Sequence, residues 1–226
     1  KKRFKISRWN GPADAIYAAH RTDNELNTKV GYLSTLVALI SASGGASIGQ
    51  YGPLVHLGAT IGTSLKTFTK DLLSTDVFLG CGVAGAISAG FGAPLAGIIF
   101  AHEAVLRHFS MRALAPIAIA SFTASAVTEK IFNKSSIMQA NNQIPELANI
   151  LPATLICSPI FAIVAISFMV SIRFFTKITS NSKLPPTFLI YSGAIICGLT
   201  GVFFPQILGL GTNSIIDMLG GNFTLI

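Results

Sequence analysis

Chemistry in this chain centres on residues 44–59, where glycines crowd into an apolar region just before a helical pattern. Gly49, Gln50, Tyr51, Gly52 and Pro53 form the core of that stretch. Pro53 fixes its own φ and carries no amide hydrogen, which suits the first turn of a helix, and Leu54 to Phe68 read as that helix. Glycines before a helix start let the backbone approach a ligand, and the first amides of the helix have no intrahelical acceptor. Such a terminus carries partial positive charge and suits an anion. A helix-packing loop is the competing reading, because glycines also mark close contacts between membrane helices.

The ionisable residues offer less. His102 and Glu103 precede His108, a spacing that does not form the H-E-x-x-H of a metalloprotease helix. His56 stands one turn into its helix and reads as a packing and hydrogen-bonding residue. Glu103 lies four residues before Arg107, the favourable order for an i,i+4 pair at a helix end. Cys81, Cys157 and Cys197 are an odd, dispersed set inside apolar runs, without a disulfide framework or metal spacing. No Ser-His-Asp arrangement stands out either, so a membrane-embedded enzyme using His56, His102, Glu103 or His108 has no catalytic spacing behind it. We expect no catalytic residues, no bound metal and no cofactor.

The elements that must position the glycine-rich loop are apolar. Hydrophobic residues make up 51% of the 226 and charged residues 11%, against about 25% charged in a soluble domain. The net charge of +7 is spread between apolar segments, which argues for membrane topology and against a nucleic-acid partner. Pro12 begins a helix with Asp14 near its positive end, although Ala13 to Ala19 is too short to span a bilayer. Val30 to Ser43 is a longer helix. Phe78 to Gly92 repeats small residues every three or four positions, the pattern of helices packed backbone to backbone. Ala93-Pro94 breaks that run and restarts it as Leu95 to Phe100. Broken helices at membrane depth are tolerated only inside protein or around a water-filled path. Two of them point to a transporter or channel rather than an anchor.

Three longer spans follow, Ala113 to Val127, Leu151 to Phe175 and Thr187 to Phe204. Arg107, His108 and Arg112 precede the first, and Arg173, Lys177 and Lys183 lie between the second and third. Two intervening spans place both groups on one side, cytoplasmic by the positive-inside rule. Glu129 to Pro145 forms the opposite loop. Phe204 to Asn213 is a further Pro/Gly interruption before Ser214 to Leu219, either a plain loop or a third helix start capped by Asn213 or Ser214. Asp217 reads as a solvated helix end.

Gly49-Gln50-Tyr51-Gly52-Pro53-Leu54-Val55-His56-Leu57-Gly58 resembles the G-[KR]-E-G-P-x-V-[HQ]-x-G signature of the CLC chloride channels and transporters. Phe91-Gly92-Ala93-Pro94-Leu95-Ala96-Gly97-Ile98-Ile99-Phe100-Ala101-His102-Glu103 is similar to that family's F-[NG]-A-P-[LI]-[AG]-G-x-[LM]-F-x-x-E motif. Gly220-Gly221-Asn222-Phe223 is similar to a G-N-F segment of bacterial members. The resemblance implies an all-α membrane protein, a CLC-type bundle of tilted and broken transmembrane helices with an inverted repeat. It implies one membrane domain over residues 1–226, with 1–110 part of the first inverted half and 111–226 the start of the second. It also implies a homodimer in a lipid bilayer with one anion pathway per subunit. The location expected is an integral, multi-pass membrane protein, in the inner membrane if bacterial.

By the same resemblance the chain is expected to be a piece of a subunit about twice as long. The earliest helices, a later G-[IG]-F-x-P anion loop and the C-terminal helix with the central tyrosine are not in it. The abrupt ends, basic Lys1-Lys2-Arg3 and apolar Thr224-Leu225-Ile226, agree with that expectation.

Three departures from the family pattern bear on mechanism. The G-S-G-I-P anion loop falls on Arg8-Trp9-Asn10-Gly11-Pro12, with Trp9 in the place of the serine. The gating glutamate falls on Tyr51, and the inner proton-relay glutamate of exchangers falls on Ala104. The residues expected to hold an anion are therefore Asn10, Gly11, Pro12, Gly49, Gln50, Tyr51, Gly52 and Pro53, with Tyr51 at the gate position. A carboxylate titrates near 4 in water and a phenol near 10, so a tyrosine there is a neutral plug or donor. Chloride or another small anion would move in a channel-like manner without proton coupling. An exchanger with an unusual proton path, or a structural homologue that only dimerises, remains open on the sequence.

Overall fold

The structure, a computed structural model, describes residues 11–21, 26–44, 49–66, 69, 73–132, 147–182, 184–209 and 211–219. Among them the chain is helical throughout, without a strand. In order the helices are α1 (Pro12–His20), α2 (Thr28–Ser43), α3 (Tyr51–Lys66), α4 (Thr75–Phe91), α5 (Pro94–Phe100), α6 (Met111–Phe132), α7 (Leu147–Asn181), α8 (Pro186–Phe203) and α9 (Thr212–Leu219). A π-helical turn, Ala101–Leu106, extends α5, and a 3₁₀ turn, Pro205–Ile207, precedes α9. Asn10, Trp9, the 133–146 connection and the Gly220–Phe223 segment lie outside the described residues.

The core forms where glycine lets helices touch. α3 and α4 make the most extensive interface. A Cβ on Gly58 would run into the Gly82 carbonyl oxygen, and one on Gly82 into that of Gly58. Gly58 and Gly62 stand four residues apart, so both fall on the face of α3 that meets α4, where backbones can approach closely. Leu79, Val83 and Val105 are buried with Val55, Ala59, Ala15 and Ala18 in one apolar cluster. Ile117, Ala84, Ala101 and Leu106 anchor a second. Hydroxyls join the elements across the second cluster. The Ser88 hydroxyl donates to the Ser121 carbonyl at 2.6 Å, and the Ser121 hydroxyl donates to the Pro94 carbonyl at 2.7 Å. Both serines are fully buried, and their bonds tie α4, α5 and α6 together.

The break between α4 and α5 follows from two residues. Gly92 takes φ +66°, a left-handed conformation that ends α4, and its amide donates to the Ser88 carbonyl at 2.8 Å. Pro94 then occupies the first position of α5.

α6 and α7 are long and apolar enough to cross a membrane. α7 has no buried residue along its apolar window, with Leu155 and Phe161 about 70% exposed. Such a surface suits lipid or further protein rather than water. Its 35 residues correspond to about 52 Å, well beyond the ~30 Å hydrocarbon core. Pro152 and Pro159 lie inside it and Pro116 inside α6.

Several boundaries differ from the sequence reading. α3 starts at Tyr51, two residues before the expected Pro53, and Pro53 still falls in the first turn, where its missing amide costs no helix bond. Arg173 and Lys177 belong to α7 itself and not to a loop, since the helix runs on to Asn181. The Glu103–Arg107 pair does not form in the expected geometry. Glu103 is exposed inside the π-helical turn, and Arg107 leaves it at φ +56°, so the i,i+4 register of an α-helix is lost. α9 begins at Thr212, ahead of Asn213 and Ser214, and Asp217 is exposed as expected.

Candidate functional site

α1, α3 and α5 all begin beside one open groove of about 610 Å³. Pro12 lines it from α1, Tyr51, Gly52 and Val55 from α3, and Ala93, Ala96 and Phe100 from the α5 segment. Ile87 and Phe91 close it from the end of α4. The first two starts are in near contact, since a Cβ on Gly52 would lie 3.6 Å from the Pro12 ring. Two short helices and one of 16 residues thus deliver their positive ends to a single place.

The donors at each start can be counted. At α3 the Leu54 amide donates to the Gln50 carbonyl at 3.1 Å, the first bond of the helix. The amides of Tyr51 and Gly52 precede it and have no acceptor in the helix, and Pro53 contributes none. At α5 the Gly97 amide reaches the Ala93 carbonyl at 3.1 Å, so the Leu95 and Ala96 amides precede the first bond.

α1 differs. The Gly11 amide donates to the Asp14 carboxylate at 2.8 Å, and the Asp14 amide donates to the Gly11 carbonyl at 3.0 Å. This reciprocal cap consumes the Gly11 donor and sets a negative charge against the positive end of α1. A second anion at that end meets a carboxylate already in place.

The expected site residues therefore divide. Pro12, Tyr51 and Gly52 share the large groove. Gly49, Gln50 and Pro53 line a separate hollow of about 140 Å³ on the α2 side, with Thr35, Leu39 and Leu54. Gly11 is engaged by Asp14, and Asn10 lies outside the described residues. The sequence reading had not assigned Phe91, Ala93, Ala96 and Phe100 to a site. Their signal was present in the Ala93-Pro94 helix restart and the F-G-A-P motif that contains it.

Tyr51 lies at the first position of α3 with its ring stacked on Phe91, centroids 4.0 Å apart and planes 18° from parallel. Ala104 stands in the π-helical turn. No carboxylate lines the groove among the described residues.

The histidines do not form a reactive centre. His56 is 1% exposed and packs as expected, yet neither ring nitrogen has a hydrogen-bond partner among the described residues. Among the described residues the hydrogen bond expected of its ring is not made, and the Thr60 hydroxyl donates to the His56 backbone carbonyl at 2.7 Å. His102 stacks on Phe109 at 4.6 Å, and its Nδ1 lies 3.4 Å from the His108 carbonyl. No group of three His, Cys, Asp or Glu residues among those described has the geometry to hold a metal ion.

Comparison with known proteins agrees with this architecture. The voltage-gated ClC-type chloride channel ClcB of Shigella boydii serotype 18 is 24% identical over 224 residues, 96% of this chain and 52% of that protein. ClcB of Escherichia coli gives the same identity and coverage. A ClcB-like chloride channel protein of Ralstonia nicotianae is 27% identical over 132 residues, 56% of this chain and 31% of the relative. The chain thus spans about half the length of the ClcB relatives it matches. A family model described as voltage gated chloride channel matches residues 2–226, and the chain belongs to that family.

Proposed function

We propose that the full-length protein carries chloride or another small anion across a membrane, past the helix starts that border the groove. The observation that carries this reading is the meeting of three helix N-termini at one cavity, with the first-turn amides of α3 and α5, which have no acceptor within their helices, beside it. Backbone amides stabilise an anion without a fixed counter-charge, so it can bind and still leave. The relatives named as chloride channels support chloride as the ion. The protein is a transporter and not an enzyme on this reading, multi-pass in its membrane, with residues 1–110 and 111–226 belonging to two inverted halves and two subunits forming a homodimer.

Tyr51 acts as a neutral gate. A carboxylate at this place competes with chloride and carries a proton; a phenol does neither at neutral pH. With Ala104 on the inner side and no carboxylate along the groove among the described residues, a proton has no relay there. Anion flow is channel-like and uncoupled from protons. The test is chloride efflux from vesicles holding the full-length protein, followed with chloride and pH electrodes together. Passive chloride efflux without proton movement is expected, and Tyr51→Ala should raise the rate. Uphill proton movement driven by a chloride gradient would replace this reading with an exchanger, and absence of any efflux would leave a structural homologue.

A further inference from the structure

Tyr51 occupies the first position of α3, where no preceding turn restrains its side chain. Its ring nevertheless has a defined seat. One face stacks on Phe91 at 4.0 Å, nearly parallel. Its edge rests on the bare backbone of Gly90, where a Cβ would lie 3.4 and 3.5 Å from Tyr51 Cε1 and Cδ1. Gly92, left-handed at φ +66°, ends α4 immediately after these two residues, so the last turn of α4 forms the seat. Both rings lie in the groove wall, beside Pro12, Gly52 and Ala93.

From this arrangement we infer that Phe91 is a positioning residue for the gate, holding the Tyr51 ring flat against the end of α4 and so leaving the space between the helix starts clear. The inference rests on the gate reading of Tyr51. The ring exchanges between two positions, seated on Phe91 or swung into the groove as a plug. Aromatic stacking favours the seated one, and an aliphatic side chain at position 91 removes that preference while still filling apolar space. Tyr51→Ala removes the plug altogether, so the identity of residue 91 no longer acts through the ring position in that background.

The experiment compares initial chloride efflux from vesicles holding the full-length protein as native, Phe91→Leu, Phe91→Tyr, Tyr51→Ala, and Tyr51→Ala combined with Phe91→Leu. Phe91→Leu is expected to slow efflux measurably, by at most about 10-fold, the largest change in seated population that the usual worth of an aromatic pair allows. Phe91→Tyr, which keeps the stack, restores most of that loss. In the double variant the loss caused by Phe91→Leu is much smaller than in the native background, and its efflux stays above that of Phe91→Leu alone, which only a folded protein can do. Unchanged or faster efflux in Phe91→Leu overturns the inference. So does an equal loss in the Tyr51→Ala background, which would make Phe91 merely structural, and so does a Phe91→Tyr rate as low as that of leucine. If Tyr51→Ala itself leaves efflux unchanged, the gate reading falls and this inference with it. If Tyr51→Ala raises efflux while the Phe91 variants do not alter it, the inference alone falls.

Discussion

Adding one methyl group to α4, or to the face of α3 against it, should give opposite results depending on which glycine receives it. At Gly58 the new Cβ would collide with the Gly82 carbonyl oxygen and lie 2.8 Å from the Ala86 Cβ. Ordinary contact begins near 3.4 Å, so from the Ala86 contact alone the two helices must separate by 0.6 Å (3.4 − 2.8). The obstacle is backbone and a methyl group, neither of which can rotate away. Overpacking of this kind costs about 1–3 kcal/mol, which exceeds the ~1 kcal/mol that alanine gains over glycine in a helix. At Gly85, on α4 itself, the new Cβ would meet the Ala124 Cβ at 3.6 Å and the Ala120 carbonyl oxygen at 3.7 Å, both ordinary distances. There the helix gain stands unopposed. Thermal unfolding of the full-length protein in detergent should therefore show Gly58→Ala destabilised and Gly85→Ala equal to or above the native protein. Because α3 carries Tyr51 and Gly52 at its start, Gly58→Ala should also slow chloride efflux, whereas Gly85→Ala should not. A Gly58→Ala protein as stable as Gly85→Ala would refute the close approach of α3 and α4.

Asp14→Asn keeps an oxygen to accept from the Gly11 amide and removes the charge at the start of α1. With a charge at a helix terminus worth about 0.3–1 kcal/mol, anion affinity measured by calorimetry on the full-length protein should rise about 2- to 5-fold; a fall would mean that Asp14 supports the anion site through structure. Ser121→Ala removes the hydroxyl that donates to the half-buried Pro94 carbonyl, at a cost of about 0.5–1.5 kcal/mol read as a lower unfolding midpoint, while an unchanged midpoint would mean that the bond contributes nothing net. Tyr51→Glu should make chloride efflux pH-dependent, because a carboxylate carries charge into the groove at neutral pH and loses it on acidification, which a phenol does not. Proton coupling should still be absent, since Ala104 remains in the π-helical turn, and coupled proton transport in that single variant would reveal another relay.

Much of this architecture follows from local sequence. Apolar length dictates the spans of α6, α7 and α8, and Gly92-Ala93-Pro94 dictates the break between α4 and α5, because each effect acts within a few residues of the chain. The two family motifs, with Tyr51 inside the first, are likewise visible without coordinates. Which side of a helix start faces the groove is a different matter, since it depends on how each helix is rotated against its neighbours. Gly58 meeting Gly82 fixes that rotation for α3, and so turns Tyr51 and Gly52 toward Pro12 while Gln50 and Pro53 face α2. The same dependence explains why Phe91 was not legible as the seat of Tyr51, 40 residues away in sequence, and why Asp14 read as a helix-start acid without showing which amide it consumes. It also explains the Glu103–Arg107 pair, where spacing assumed an α-helical register that the π-helical turn and the left-handed Arg107 remove. Sequence determined which segments are helices, because propensity and composition are local; packing decided which helix starts share a cavity, because only close approach between distant glycines sets the angle at which each one faces the rest.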